Sequence, residues 1–188
     1  MQLILASTSS YRAELLDRLG LTFVCVPSQV DETPLSNETP QALAQRLAHA
    51  KAAAVLAQYP QAVVIGSDQV ADCAGQSINK TGSREGAIAQ LTQLSGQTVQ
   101  FHSAVSLQSH NVKQDFVVST EVVYRHLSDI EIVRYVNAEP AWDCAGSSKI
   151  EGLGVTLMQR VSSDDPTALI GLPLIRLSEV LRNMGFFA

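Results

Sequence analysis

Leu3-Ile4-Leu5-Ala6-Ser7-Thr8-Ser9-Ser10-Tyr11-Arg12-Ala13-Glu14-Leu15-Leu16-Asp17-Arg18-Leu19-Gly20 opens the chain. The first four residues read as a short buried strand. Four hydroxyl residues follow. From Tyr11 the pattern changes period: Leu15, Leu16 and Leu19 share one helical face, and Gly20 stops the helix. A strand feeding a helix through a short polar loop is the unit of α/β architecture.

The rest of the chain repeats the alternation. Leu21 to Val26 reads as a second strand. Thr39 and Pro40 open a helix as N-cap and first helical residue, running to about Gln58. Ala62-Val63-Val64-Ile65-Gly66 is a buried strand expected to end at Ser67-Asp68-Gln69. Val70 to Asn79 suggests a hairpin turning at Gly75. Ser83 starts a helix that closes at Ser95-Gly96. Thr98 to Leu107 and Phe116 to His126 read as long strands joined near His110-Asn111. Ser128-Asp129-Ile130-Glu131 is a capping-box pattern. Cys144 to Gly154 reads as loop, Val155 to Val161 as strand, Asp164-Asp165-Pro166 as a turn, and Pro173 to Met184 as the last helix. The expectation is one α/β domain over 1–188, with a mixed central sheet layered by helices.

Composition narrows the function. Of 188 residues, 46% are apolar and 16% charged, which excludes a disordered chain. Area scaling buries roughly 70% of the surface of a chain this size, enough for one core. Thirteen Lys and Arg against 18 acids give a net charge of −5, which argues against a nucleic-acid surface. One small anion needs only a few local cations. No stretch approaches 18 apolar residues, and no targeting signal is evident, so no membrane is expected. Cys25, Cys73 and Cys144 lack metal-ligand spacing and read as buried small hydrophobes in a reducing cytoplasm. The four His show no HxH or HExxH spacing.

A handful of residues could carry chemistry. Ser7 to Arg12 lies at a helix start, where free N–H groups and the dipole favour an anion; equally, one Ser could be a plain N-cap and Arg12 a solvated residue. Lys51 falls on the apolar side of its helix with Ala44, Leu47 and Val55, and must either snorkel to water or meet an anion. Asp68 follows a wholly apolar strand, where open α/β sheets place ligands. Partly desolvated there, it could serve as a general base, hold a divalent cation, or cap a turn. Glu32 and Lys80 are weaker candidates in polar loops.

Several separated segments, in order, resemble the Maf family of nucleoside triphosphate pyrophosphatases: Leu5-Ala6-Ser7-Thr8-Ser9-Ser10-Tyr11-Arg12, Val30-Asp31-Glu32-Thr33, Ala50-Lys51-Ala52, Ile65-Gly66-Ser67-Asp68-Gln69-Val70, Ile150-Glu151-Gly152-Leu153-Gly154 and Gly171-Leu172-Pro173-Leu174. The resemblance implies a deep cleft in a fold like that of the inosine triphosphate pyrophosphatases. It also implies hydrolysis between the α and β phosphates, a divalent cation (Mg²⁺ or Mn²⁺), and a cytoplasmic homodimer acting on a small nucleotide. By resemblance, Asp68 is the proton acceptor for water, and Glu32 is the second acid near the metal. Ser7, Arg12, Lys51 and Lys80 match phosphate-binding positions. Departures are Ser10 and Ala13 in the first segment, and Asn79-Lys80-Thr81 where the family has Gly-Lys-Pro.

Three positions set the branch: Tyr11, Gln69 and Glu151. The dTTP/UTP branch has Arg, Thr and Gln there, and this set resembles the branch acting on 7-methyl-GTP. A carboxylate at 151 can accept from both the ring N–H and the amine of guanine, and the positive charge of a 7-methylguanine suits an aromatic face. The alternatives are a dTTP/UTP pyrophosphatase and a nucleotide-binding regulator of cell division without turnover.

Overall fold

A computed structural model describes residues 1–187. Its elements are β1 (Leu3–Leu5), α1 (Ser10–Asp17), β2 (Val24–Cys25), α2 (Pro40–Leu56), β3 (Val63–Cys73), β4 (Gln76–Ile78), α3 (Arg84–Leu94), β5 (Thr98–Gln108), β6 (Lys113–Tyr124), α4 (Asp129–Ala138), β7 (Met158–Ser162) and α5 (Leu174–Asn183). The strands form one sheet in the order β2-β1-β3-β5-β6-β7, with β4 beside β3. β1 pairs in parallel with β2 and β3, and every other pairing is antiparallel, so the sheet is mixed as expected.

Local chemistry sets the helix starts. The Thr39 side chain accepts from Ala42 N with Pro40 at the first position, Ser83 accepts from Gly86 N, and Ser128 and Glu131 close a full capping box. Helices cover both faces of the sheet. Ala52 and Val55 of α2 pack on Ile4 and Val64, while α1 and α5 bury Leu15, Leu16, Leu177 and Leu181 against Leu5 and Ile65 on the other face. A further cluster joins α3 and α4 to β5 and β6 through Leu91, Val99, Phe101, Tyr124 and Ile132. No described helix is long and apolar enough to cross a membrane.

Four expectations are corrected. The second strand shrinks to Val24–Cys25, because it pairs only with Ile4 and Leu5 at the sheet edge. The last strand begins at Met158, since Leu153–Leu157 forms a 3-10 turn. The cysteines are not a buried set: Cys25 is exposed on that edge strand, and Cys73 and Cys144 are half-buried. Most consequentially, β3 does not end at Asp68. It continues to Cys73, paired with β5 from Val64↔Gln108 to Asp72↔Gln100.

Gly66 sets the distance between α2 and this strand. A Cβ there would lie 2.2 Å from the Ala48 carbonyl oxygen and 2.6 Å from Ala52 N. Backbone packs on backbone, and no side chain fits between. Gly66→Ala is expected to cost about 1–3 kcal/mol, the usual range for overpacking, measured as a lower urea midpoint. An unchanged midpoint would contradict so close a contact.

Candidate active site

On the β1 side, β3 changes partners in mid-strand. Pairing with β1 ends at Ile65, and pairing with β4 starts at Ala71. Among the described residues, Gly66 to Val70 have no strand partner on that edge. A cleft of about 880 Å³ opens there. It sits at the carboxyl end of β1, at the switch from parallel to antiparallel pairing, the kind of crevice where open sheets bind ligands.

Side chains alternate across this stretch. Asp68 faces α2, and Lys51 comes from α2 to meet it. Lys51 Nζ donates to Asp68 Oδ1 at 2.7 Å and lies 2.6 Å from Glu32 Oε1. Asp68 and Lys51 are 7% and 6% exposed, so the lysine does not snorkel; its charge is met inside. Burial raises the Asp68 carboxyl above its ordinary value; Lys51 and Arg12 pull it down, and Glu32 pushes it up. Gln69 faces the opposite way. Its amide nitrogen donates to Ser103 Oγ at 2.9 Å, and to Ala168 O and Leu169 O at 3.0 Å each.

The loop after β1 supplies the next wall. Ser7 Oγ accepts from Ser9 N at 3.1 Å, and Ser9 caps α1 through Arg12 N. Arg12 then reaches across the molecule, with Nε donating to Gly171 O at 3.1 Å. Gly171 has φ +129°, a conformation that suits glycine, and its carbonyl also accepts from Ser67 Oγ at 3.2 Å. Burial lowers the Arg12 guanidinium from its ordinary value, opposed by Asp68 and Glu32, but an arginine stays charged.

All nine residues singled out in the sequence line this one cleft: Ser7, Tyr11, Arg12, Glu32, Lys51, Asp68, Gln69, Lys80 and Glu151. Lys80 and Glu151 are exposed at its rim. The structure adds residues that spacing did not reveal. Asp165, read as part of a turn, is 2% exposed. It accepts from Thr167 N and Ile175 N, tying the loop that carries Gly171 to the start of α5. Tyr135 of α4 and Glu139, the residue that caps its C-terminal end, hold the Glu151 wall from behind. Lys149 N donates to the Tyr135 hydroxyl, which donates to Glu139, and Glu139 accepts from Leu153 N and Gly154 N. Asp143 also lines the cleft, and burial pushes the neighbouring Cys144 thiol up to about 12. The sequence does not flag these roles, because the partners that define them lie ten or more residues away: Ile175 for Asp165, Lys149 for Tyr135, and Leu153 and Gly154 for Glu139.

The Glu32 loop is fixed by α2. Glu38 accepts from Arg46 Nε at 2.7 Å and Nη2 at 2.9 Å, and also from Leu35 N, while Arg46 Nη2 donates to Thr33 O. This fork anchors the chain just after Glu32 beside the helix that carries Lys51.

The model of the family described as Maf-like protein matches residues 2–184. A 7-methyl-GTP pyrophosphatase of Xanthomonas oryzae pv. oryzae (strain MAFF 311018) is 56% identical over 185 residues, covering 98% of this chain and 97% of its own length. A protein of the same name from Polaromonas sp. (strain JS666 / ATCC BAA-500) is 51% identical, covering 97% of this chain and 84% of its own. The solved structure of a HAM1 protein from Coxiella burnetii superposes with a TM-score of 0.56 over 97% of this chain and 99% of that one. At 15% identity it speaks for the fold alone.

The Arg46 hydrogen bond, ahead of the Leu35 N–H, holds the Glu38 carboxyl down at about 2, against an ordinary 4.5. A depressed carboxyl stabilises the fold above its ordinary value and loses that contribution as pH falls toward the folded one. Glu38→Gln is therefore expected to lower the urea midpoint at pH 7, by an amount that shrinks as pH falls from about 4.5 toward 2. A deficit that stayed constant with pH would contradict the ion pair.

Proposed function

Because the chain belongs to the Maf-like family, we propose that it is a nucleoside triphosphate pyrophosphatase. It hydrolyses 7-methyl-GTP to 7-methyl-GMP and diphosphate, the substrate named for relatives 56% and 51% identical. The observation that carries the reading is the buried Lys51 ammonium between Asp68 and Glu32, in a cleft also lined by Arg12 and Lys80.

Phosphoryl transfer is helped chiefly by positioning and by fixed charge around the phosphate oxygens. Arg12, Lys51 and Lys80 provide the cations, and Ser7 with the start of α1 provides donors. Asp68, its proton affinity raised by burial, accepts a proton from the attacking water. A new water oxygen–phosphorus bond forms, the bond between the bridging oxygen and phosphorus breaks, and diphosphate leaves with the electron pair. Removing the methylated nucleotide before it enters RNA is the role this chemistry serves.

Asp68 and Glu32 fit a hard divalent cation beside Lys51, because each gives that ammonium one oxygen, Asp68 Oδ1 and Glu32 Oε1, and has a second to offer. Among the described residues, no group of three or more His, Cys, Asp and Glu is placed to hold a metal ion. Mg²⁺ ordinarily takes one or two carboxylates and completes its shell with water and substrate phosphates. Mg²⁺ or Mn²⁺ held there would neutralise phosphate charge. Charge balance supports the same reading: of the three cations, Lys51 and Arg12 are offset by Asp68 and Glu32, which leaves Lys80 alone against a triphosphate, so the substrate must bring further positive charge with it.

Tyr11, Gln69 and Glu151 read the base. The Gln69 amide nitrogen is already committed, so its oxygen is the group left to offer a substrate donor. Glu151 can accept from the ring N–H and amine of guanine, which uracil and thymine do not present together. The reaction belongs to a reducing cytoplasm, in keeping with three free cysteines.

Asp68→Asn is expected to keep the fold, judged by circular dichroism, and to lose diphosphate release by at least ~100-fold, the low end for a general base. A wild-type rate would remove Asp68 from the mechanism. Glu151→Gln should lower kcat/KM on 7-methyl-GTP by about 10- to 100-fold, the worth of a hydrogen bond to a charged group, and far less on UTP. Equal losses on both would refute the base-reading role.

A further inference from the structure

The Lys149 ammonium lies 5.5 Å from the centroid of the Tyr11 ring. It is also 3.5 Å from Asp143 Oδ1. The mechanism above uses neither Lys149 nor Asp143. An aromatic face with a carboxylate beside it is the arrangement that binds organic cations. Tyr11 and Asp143 both line the cleft, with Glu151 in the same wall.

We propose that Tyr11 and Asp143 form a cation box for the positively charged 7-methylguanine ring, and that Lys149 is the protein's own occupant of that box when no substrate is bound. The inference rests on the 7-methyl-GTP reading and adds Asp143 as a specificity residue.

The exchange is charge for charge. A methylated ring enters, the ammonium swings to water, and Tyr11 and Asp143 still face a cation. A neutral guanine displaces the ammonium and returns no charge. The Lys149 backbone is fixed through Tyr135, so the exchange asks only for rotation about the bonds of its long stem. The Asp143 side chain is 57% exposed, so the pair is open to exchange. Burial pulls the Lys149 ammonium down, but Tyr11 and Asp143 are among the groups that raise it overall. Lys149 must leave for any base that stacks on Tyr11. Its displacement therefore costs the same for methylated and unmethylated guanine, and the preference between them comes from what the ring's charge gains against Tyr11 and Asp143.

The two residues thus have separable signatures in kcat/KM for 7-methyl-GTP and GTP. Asp143→Asn is expected to reduce the 7-methyl-GTP to GTP ratio about three- to tenfold, the range of cation–π and exposed ion-pair strengths, and Asp143→Glu to restore it. Lys149→Met is expected to raise both values by a common factor and leave the ratio unchanged. A ratio indifferent to Asp143→Asn would overturn the box, and so would weaker use of both nucleotides by Lys149→Met, which would mark Lys149 as a phosphate ligand. If the wild type releases diphosphate from neither nucleotide, the reaction reading fails. The box is then judged by calorimetry with 7-methyl-GMP and GMP on the same variants, where the same ratios apply.

Discussion

The rest of the site depends on a single buried ion pair, Lys51 to Asp68 at 2.7 Å. Such a pair is a weak source of stability, since two desolvated charges roughly offset their own attraction, yet removing either partner alone costs about 3–5 kcal/mol. Two backbone features make the contact possible. Gly66 lets α2 lie directly on β3, and Lys51 projects from that helix just where Asp68 faces it. The break between β1 and β4 leaves the Asp68 region of β3 without a strand partner on the cleft side. A helix one side chain further away would leave two charges buried and unpaired.

From this pair the surroundings follow in layers. Arg46 and Glu38 anchor the loop that brings Glu32 to Lys51. Asp165 ties down the loop whose carbonyls hold Gln69, Ser67 and Arg12. Tyr135 and Glu139 fix the wall that carries Glu151. Arg12, Lys51, Asp68 and Gln69 are thus each held by a partner whose own position is set by packed helices, strands or tied loops. That rigidity is what positioning catalysis requires.

Much of this was legible in the sequence, and the reasons are local. Thr39-Pro40, Ser83 and Ser128–Glu131 mark helix starts because capping is short-range chemistry. Lys51 stands out because a charge on an apolar helix face needs a partner. The course of β3 was not legible. Ser67, Asp68 and Gln69 resemble the end of a strand, and only partners as distant as Gly171, Lys51, Ser103 and Ala168 make them comfortable inside one. Asp165 looks like any turn aspartate until Ile175 N is seen to point at it. Cys25 reads as a core residue, but its strand is two residues long and lies at the edge. The roles of Tyr11, Gln69 and Glu151 rest on resemblance rather than on any periodicity.

Product analysis tests the central claim most directly. Phosphorus NMR can follow 7-methyl-GTP incubated with the protein and Mg²⁺ or Mn²⁺. The account predicts that diphosphate and 7-methyl-GMP appear together in equal amounts, with no orthophosphate formed first. Orthophosphate accompanied by 7-methyl-GDP would mean that the cleft cuts a different bond, and would contradict the account.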